Sequence, residues 1–289
     1  MLKQLMVKII TKFVNLDPLF VFLWKLNAEF SLKEKRLLGL RSKLRSFVPD
    51  ITNQYTREHP ARVKSIFEYL VRTCHVFQID SLIRAIELVL KEQKECFIAD
   101  IGDSAGTHLT YIKNYFNDNE KFKLMSINLD PNAVQKIQEK GIDAICSAAE
   151  DVDYNVYPVD VYCSFQMLEH LENPIGFLKS LAENSKCKYF VVSVPLVKTS
   201  FVRLKYIRNN LPSATSENTH IFELAPEDWK LLFKHSGWDV VSDEKRTIYP
   251  ESLWFFWLRK LLISNVDAIG NYVVILEKNS EWSNRFRSC

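Results

Sequence analysis

Residues 97 to 106 read Phe-Ile-Ala-Asp-Ile-Gly-Asp-Ser-Ala-Gly, an apolar run that ends in an acid and leads into two glycines. Glycine lets the backbone come close to a ligand, and the unpaired amides that open a following helix attract polar or anionic groups. Such a turn between a strand and a helix is typical of nucleotide-binding folds. A tight turn also needs glycine for structural reasons alone, so this segment by itself leaves a ligand-binding loop and a purely structural turn equally open.

The sequence after residue 95 alternates short apolar runs with amphipathic segments, which is typical of strand-helix-strand units and a parallel sheet. The apolar runs predict strands at residues 96–101, 122–129, 144–147, 159–165 and 189–194. The amphipathic segments predict helices at residues 107–115, 132–140, 174–184 and 226–236. Two closing strands, at 238–241 and 272–276, suit an antiparallel edge on a parallel sheet. The predicted fold class is α/β, a Rossmann-like, doubly wound, mostly parallel sheet of seven strands with an N-terminal α-helical region.

The first third of the chain has a helical pattern. Asp17 and Pro18 offer a cap and a first-turn proline, and Phe67, Leu70 and Val71 recur at helical spacing. Two prolines and a polar stretch interrupt the pattern, so we predict two helical segments joined by a loop near residues 49–60. We divide the chain into an N-terminal helical region at residues 1–90, serving as a cap or an oligomerisation region, and an α/β domain at residues 91–289.

The composition is that of a globular protein. The formal net charge is only +3 in 289 residues and the charges are interspersed, so no nucleic-acid partner is expected. No apolar run approaches the ~20 residues of a membrane-spanning helix. Lys3 and Lys8 interrupt the first residues before the apolar core of a secretory signal could form. We therefore expect a cytoplasmic protein.

Cysteine and histidine spacing gives no sign of a metal. The six cysteines are far apart, with no Cys-x-x-Cys pair and no histidine at zinc-ligand spacing beside any of them. The six histidines are equally scattered. We expect reduced, mostly buried thiols and no metal site.

The glycine segment resembles the first motif of the class I S-adenosylmethionine-dependent methyltransferases. That motif reads Asp-x-Gly-x-Gly-x-Gly at the end of the first strand. Here its positions hold Asp100, Gly102, Ser104 and Gly106, with serine in place of the middle glycine. The resemblance implies that these four residues bind S-adenosylmethionine.

A second segment strengthens the resemblance. Residues 168–174 read Leu-Glu-His-Leu-Glu-Asn-Pro directly after the predicted strand 159–165, and they look like the Leu-Glu-His-Leu segment of quinone, sugar and related small-molecule methyltransferases. The two segments also have the separation that a first and a fourth strand of such a unit should have. Further similarity extends over about residues 95–278, and it implies a methyltransferase acting on a small molecule or glycan.

The family's second strand ends in an acid that binds the cofactor's ribose hydroxyls, because a carboxylate accepts two hydrogen bonds at once. Asn128 stands at that position, and Asp130 follows two residues on. Either Asn128 makes a weaker ribose contact or Asp130 replaces it. Equally open is the alternative that Asp130 only caps the next helix.

The remaining cofactor contacts are also implied by the resemblance. Ala149 and Glu150 correspond to the stretch beside the adenine, where their backbone amides could serve, although Ala148 stands where the family usually has an acid. Phe165 and Gln166 end the fourth predicted strand and would lie under the methionine part and the sulfonium.

His170 and His220 are the predicted catalytic residues. Methyl transfer from a sulfonium needs mainly alignment, and a base is required only when the acceptor is a weak nucleophile such as a hydroxyl. Histidine titrates near neutrality and could take that proton. The alternative for both residues is structural: His170 fixes the loop after the fourth strand, and His220 caps or packs. We predict transfer to oxygen of a small-molecule, glycan or lipid-linked acceptor.

Two aromatic segments, at residues 19–25 and 249–260, combine bulky apolar groups with adjacent cations. They are open to three interpretations: core packing, a substrate lid or homodimer contact, or a peripheral anchor at the inner membrane face. A rival function also stays open. Ser104, Asn128 and Ala148 depart from the family pattern, which suits an inactive methyltransferase-like fold that serves as a scaffold.

Overall fold

Between residues 17 and 90, the described part of the N-terminal region forms three helices. The computed structural model describes residues 17–54, 61–118, 120–202, 219–248 and 270–284. Its first helices are α1 (Asp17–Glu34), α2 (Leu38–Phe47) and the long α3 (Ala61–Leu90), with a 3-10 turn at Ile51–Gln54. The first predicted helical segment is therefore two helices. The break lies at residues 35–37, where Arg36 has a left-handed φ of 59°, and none of these three residues is a glycine or proline that would indicate it.

The α/β part follows the predicted alternation. Its strands are β1 (Cys96–Ile101), β2 (Phe122–Asn128), β3 (Asp143–Cys146), β4 (Val161–Phe165), β5 (Tyr189–Pro195), β6 (Phe201–Val202), β7 (Phe222–Glu223), β8 (Trp238–Thr247) and β9 (Gly270–Lys278). Its helices are α4 (Thr107–Phe116), α5 (Pro131–Glu139), α6 (Pro174–Asn184), α7 (Pro226–His235) and α8 (Glu281–Asn284). Short 3-10 turns lie at Ala149–Asp151 and Leu168–His170.

Seven of these strands form one sheet in the order β3-β2-β1-β4-β5-β9-β8. All neighbours are parallel except β9, which runs antiparallel to both β5 and β8. The predicted fold class, with its antiparallel closing pair, is confirmed. Strand β8 is longer than predicted: pairing with β9 continues across a register shift between Val240 and Ser242 to Thr247, through charged residues that a sequence pattern assigns to a loop.

Helices cover both faces of the sheet because alternate strand residues point to opposite sides. On one face, Ile98 of β1 packs in a core with α3, α4 and α5, and Leu32 of α1 and Leu44 of α2 belong to the same core. On the other face, Phe97 and Ala99 pack with α6 and α7. The sheet is thus wound doubly, and the N-terminal helices share one of its two cores.

The structure describes only one of the two aromatic segments, and that one only in part. Residues 249–260 lie outside the described residues, and their three interpretations stay predictions. In α1, Phe22 and Phe30 are exposed to 52% and 43%. Among the described residues, the structure contains no helix whose length and apolar character would let it cross a membrane.

Candidate functional site

The glycine loop lies where β1, β2 and β4 end. Parallel strands bring their carboxyl ends to one edge of a sheet, which is where α/β folds bind ligands. Gly102 has a φ of +89°, and a Cβ there would lie 3.0 Å from Cγ of Met167. Gly106 has a φ of +74°, and a Cβ there would lie 3.1 Å from Cγ1 of Ile137. Backbone conformation and close packing therefore both favour glycine at these positions.

The loop is braced from the end of β2. The side-chain amide of Asn128, only 9% exposed, donates to the carbonyl of Asp103. Its oxygen accepts from the amide of Asp130 at 2.9 Å, and a carboxylate oxygen of Asp130 accepts from the amide of Asn132 at 2.9 Å. Asp130 thus caps α5, as the structural alternative has it, and the Asn128 amide holds two turns together. A ribose contact from either residue stays a prediction.

Several predicted cofactor residues surround an open surface at this edge. Gly102 and Ser104 are exposed, while Gly106 is buried at the start of α4. Leu129, which follows Asn128, is 62% exposed although it is a large apolar residue. Across the edge, the 3-10 turn at Ala149–Asp151 carries Ala149 and Glu150, and the hydroxyl of Tyr154 donates to the Ala149 carbonyl at 2.7 Å.

A buried cluster of charged groups lies beneath the loop. Nδ1 of His108 donates to Oδ2 of Asp100 at 3.0 Å and lies 3.4 Å from Oδ1 of Asp103. The other oxygen of Asp103 accepts from the His108 amide at 3.1 Å and so caps α4. Burial, followed by the charge of Asp103, raises the pKa of Asp100 to about 6. Burial lowers the pKa of His108, but the two carboxylates outweigh it and the pKa lies above its ordinary value.

Aromatic rings join this cluster to α3 and β4. The rings of His75 and His108 meet edge to face with centroids 4.7 Å apart, and Phe165 contacts His108 in the same way at 4.8 Å. Burial and the nearby His108 and Arg72 hold the pKa of His75 well below its usual range. The predicted residue Phe165 therefore lies, buried, directly beside the cluster of Asp100.

Gln166 begins the loop after β4 in a strained conformation. Its φ is 60°, which is uncommon for a residue other than glycine and clusters at functional sites. Its side-chain amide donates to Oγ of Ser193 at 2.9 Å, and Gln78 of α3 donates to the same oxygen at 2.9 Å. The strained turn is thus held from β5 and α3.

The same loop brings the two predicted catalytic histidines together. His170, in the 3-10 turn Leu168–His170, and His220, just before β7, meet edge to face with ring centroids 4.7 Å apart. Nδ1 of His170 donates to the Thr219 carbonyl at 3.1 Å, and Nδ1 of His220 donates to a carboxylate oxygen of Glu223 at 2.9 Å. The pairing of residues so distant in the sequence is a product of the fold, and their catalytic role stays a prediction.

Glu169 lies between these histidines and the core. Its side chain is fully buried, and in the part of the chain that the structure describes neither of its carboxylate oxygens has a hydrogen-bond partner. One of them lies 4.0 Å from Nε2 of His170. Burial is the main cause that raises the pKa of Glu169 to about 8. The Glu169 carbonyl accepts from the amide of Ile221 at 2.7 Å, which ties the two histidine segments together.

Sequence reasoning missed His108, His75 and Glu169 as site residues. His108 follows Gly106 by two residues, so its place in the first turn of the predicted helix was a usable signal. Glu169 was part of the quoted motif but had no assigned role. For His75, which reaches the cluster from α3, the local sequence gives no signal.

Comparisons with known proteins place the chain in a family. A family model described as a methyltransferase domain matches residues 71–243, more than half of the chain. No curated protein sequence matches the chain. Among solved structures, a candidate sarcosine dimethylglycine methyltransferase from Galdieria sulphuraria is 12% identical, with a TM-score of 0.53, over 80% of this chain and 93% of that one.

A second solved structure is the O-methyltransferase of a trans-AT PKS multienzyme from Brevibacillus brevis, in complex with S-adenosyl-L-homocysteine. It is 10% identical, with a TM-score of 0.51, over 81% of this chain and 86% of that one. At such identities the structures show the fold, and the family model shows the family. The chain belongs to the class I methyltransferases, enzymes whose cofactor is S-adenosylmethionine.

Proposed function

We propose that the protein transfers the methyl group of S-adenosylmethionine to a hydroxyl oxygen of a small-molecule, glycan or lipid-linked acceptor. The observation that carries the proposal is the contact between His170, on the loop that leaves β4, and His220, just before β7. Strand β4 ends beside the glycine loop. A base is needed for a hydroxyl acceptor, and two imidazoles with defined orientations supply that function.

The cofactor fits the residues at this edge. Gly102 and Ser104 are exposed, and a side chain at position 102 would intrude toward Met167. We assign the amides of residues 102–106 to the methionine part and the exposed face of Leu129 to the adenine, with the amides of Ala149 and Glu150 at its edge. Asn128 and Asp130 are assigned to the ribose, although each already holds a backbone group.

The histidines would prepare the acceptor. When bound, S-adenosylmethionine supplies an electrophilic methyl group on a sulfur that leaves as a neutral thioether. Glu223 fixes the tautomer of His220 by accepting from its Nδ1, so that Nε2 carries a lone pair and can take the hydroxyl proton. The Thr219 carbonyl fixes His170 in the same tautomer. The chain's task is then to align the acceptor oxygen with the methyl carbon and to remove one proton.

Titration calorimetry with S-adenosylmethionine and S-adenosylhomocysteine tests the cofactor part. We expect saturable binding by the wild type and loss of binding in Gly102→Arg. Binding should be unchanged in Gly39→Ala, because a Cβ added at position 39 would have no neighbour within 4 Å. For the histidines, His220→Gln should retain cofactor binding and lower methyl transfer to a hydroxyl acceptor by roughly 10²–10⁴-fold. Equal transfer by His220→Gln and the wild type would overturn the assignment of a base.

A non-catalytic scaffold is the second candidate function. It is favoured by one observation: the Asn128 amide, at the position of the ribose-binding acid, has both its nitrogen and its oxygen hydrogen-bonded to the backbone. A folded wild-type protein that binds neither S-adenosylmethionine nor S-adenosylhomocysteine would establish this candidate over the enzyme.

A further inference from the structure

Glu169 presents a problem of electrostatics. Its side chain is fully buried, and within the described residues neither carboxylate oxygen has a hydrogen-bond partner. Burying a carboxyl group without a partner costs free energy, and a charged one costs more, so native proteins pair such groups or bind them to a metal. The structure therefore needs an explanation for a carboxylate in this place.

Two imidazole rings lie close to this buried carboxylate. Glu169, His170 and His220 each offer a ligand atom, and these three atoms lie within 4.8 Å of one another. They come from two segments that are held in place by the hydrogen bond from the Ile221 amide to the Glu169 carbonyl. Two imidazoles and one carboxylate form a donor set that proteins use for zinc and for other divalent transition metals.

The orientation of the rings supports metal binding independently. Metal-binding histidines almost always donate their second ring N–H to a carbonyl or a carboxylate, which fixes the ring and its tautomer. Here Nδ1 of His170 donates to the Thr219 carbonyl, and Nδ1 of His220 donates to Glu223. Both histidines therefore have the outer hydrogen bond of a metal ligand, and both are in the tautomer whose Nε2 can coordinate.

In a second group with similar donors, the histidine ring bonds to a member of the group itself instead of to an outer residue. The ligand atoms of Asp100, Asp103 and His108 are equally close, but there Nδ1 of His108 donates to Asp100 and its amide donates to Asp103. Each carboxylate of that group already accepts a hydrogen bond from the histidine, although Oδ1 of Asp100 and Nε2 of His108 have no partner among the described residues, and all three residues are buried. By contrast, the side chains of His170 and His220 are 17% and 32% exposed, which leaves a route for an ion and for an acceptor.

We propose that Glu169, His170 and His220 bind one divalent transition-metal ion, with Glu223 and the Thr219 carbonyl orienting the two imidazoles. Three protein ligands leave a coordination position open. With both Nε2 atoms on the ion, the metal would take over the task of the base: it would polarise the acceptor hydroxyl so that its proton passes to solvent, a role that rests on the proposed function. Metal binding itself does not, because it depends only on these residues.

The test is calorimetric titration of tag-free, chelator-stripped full-length protein with Zn²⁺. We expect one saturable site, a loss of affinity of at least about tenfold in His220→Ala and in Glu169→Gln, and a loss of roughly 10–100-fold in Glu223→Gln. Matched controls are Glu172→Gln, an exposed acid on the same loop, and His235→Ala, whose ring contacts Trp282 instead. Both controls should bind like the wild type.

Circular dichroism and cofactor titration of each variant separate a lost ligand from a lost fold. Absence of a saturable site in the wild type with Zn²⁺, Mn²⁺ and Ni²⁺ would overturn the proposal, as would equal affinity of the wild type and the Glu169→Gln, His220→Ala double variant. Cofactor binding without metal binding refutes only the metal site. Metal binding without cofactor binding refutes only the proposed methyl transfer.

Discussion

Nδ1 of His108 lies 3.0 Å from Oδ2 of Asp100 in a buried cluster. The pKa of Asp100 is raised to about 6 by burial and by Asp103, and the pKa of His108 is also raised. The folded cluster therefore holds protons that the unfolded chain releases. It joins the first strand to the first turn of the helix after the glycine loop.

This protonation predicts how stability depends on pH. A raised folded-state pKa contributes stability that is complete below the unfolded pKa and is lost as the pH rises through the folded pKa. For Asp100 that window runs from about pH 4 to about pH 6. We expect the free energy of unfolding, measured in urea, to fall less over this window in Asp100→Asn than in the wild type. The control is Asp118→Asn, because a hydrogen bond from Lys121 lowers the pKa of that carboxyl instead of raising it. Parallel pH profiles of wild type and Asp100→Asn would contradict the prediction.

Gly102 predicts a stability difference between two glycine substitutions. Gly102→Ala places a Cβ on a left-handed residue and 3.0 Å from Met167, so we expect a loss of about 1–2 kcal/mol in the free energy of unfolding. Gly39→Ala lies in α2 with open space around it and should instead add about 0.5–1 kcal/mol. Urea denaturation measures both, and a neutral Gly102→Ala would show that the loop relaxes.

Arg72 predicts how firmly the N-terminal helices are attached. Its fully buried guanidinium donates to Glu68, to the carbonyls of Leu44 and Val48 at the end of α2, and to the hydroxyl of Tyr111 in α4. Arg72→Met removes all of these hydrogen bonds and leaves the Glu68 carboxylate with only the longer contacts to Arg41 and Arg45, so we expect a loss of about 3–5 kcal/mol.

The matched control for Arg72 is Arg45→Met. Arg45 also pairs with Glu68, but its side chain is 62% exposed. Its loss should cost no more than about 1 kcal/mol. Hydrogen exchange of the α2 amides would locate the effect, and equal exchange in Arg72→Met and wild type would count against the docking role.

The cysteines predict a selective alkylation pattern. Burial raises the pKa of Cys74 to about 11, of Cys96 to about 12 and of Cys187 to about 11, whereas Cys146 is exposed. Since the thiolate is the nucleophile, iodoacetamide should modify Cys146 first among the described cysteines. Peptide mass mapping over time, with Cys146→Ser as the control, checks this order. Early modification of Cys96 would indicate that β1 opens.

The seven strands of the main sheet and the helices α4 to α7 could be predicted because each carries its own local pattern, whereas the short elements β6, β7 and α8 could not. Where the pattern is not local, prediction stops. The chain breaks between α1 and α2 at Arg36 without glycine or proline, and β8 extends through charged residues because β9 pairs with them. In both places backbone pairing and packing override residue preference.

The candidate site could likewise be predicted only in part. Gly102 and Gly106 could be identified from the sequence because their backbone conformation requires glycine. His170 and His220 could be named singly, but their contact depends on how β7 meets the loop after β4. The buried carboxyl of Glu169 could not be recognised, because burial without a partner is a property of the folded chain.

The helix α3 has a consequence for how the chain can be divided. It contacts α1 and α2, and its Val76, Phe77 and Ile86 pack in the core on one face of the sheet. Helix α3, with 30 residues and a length of about 45 Å, is therefore one continuous element that packs against both regions. A fragment that starts at residue 91 would expose the part of that core that α3 covers, and we expect it to aggregate. Truncations meant to isolate the catalytic unit should keep the whole of α3.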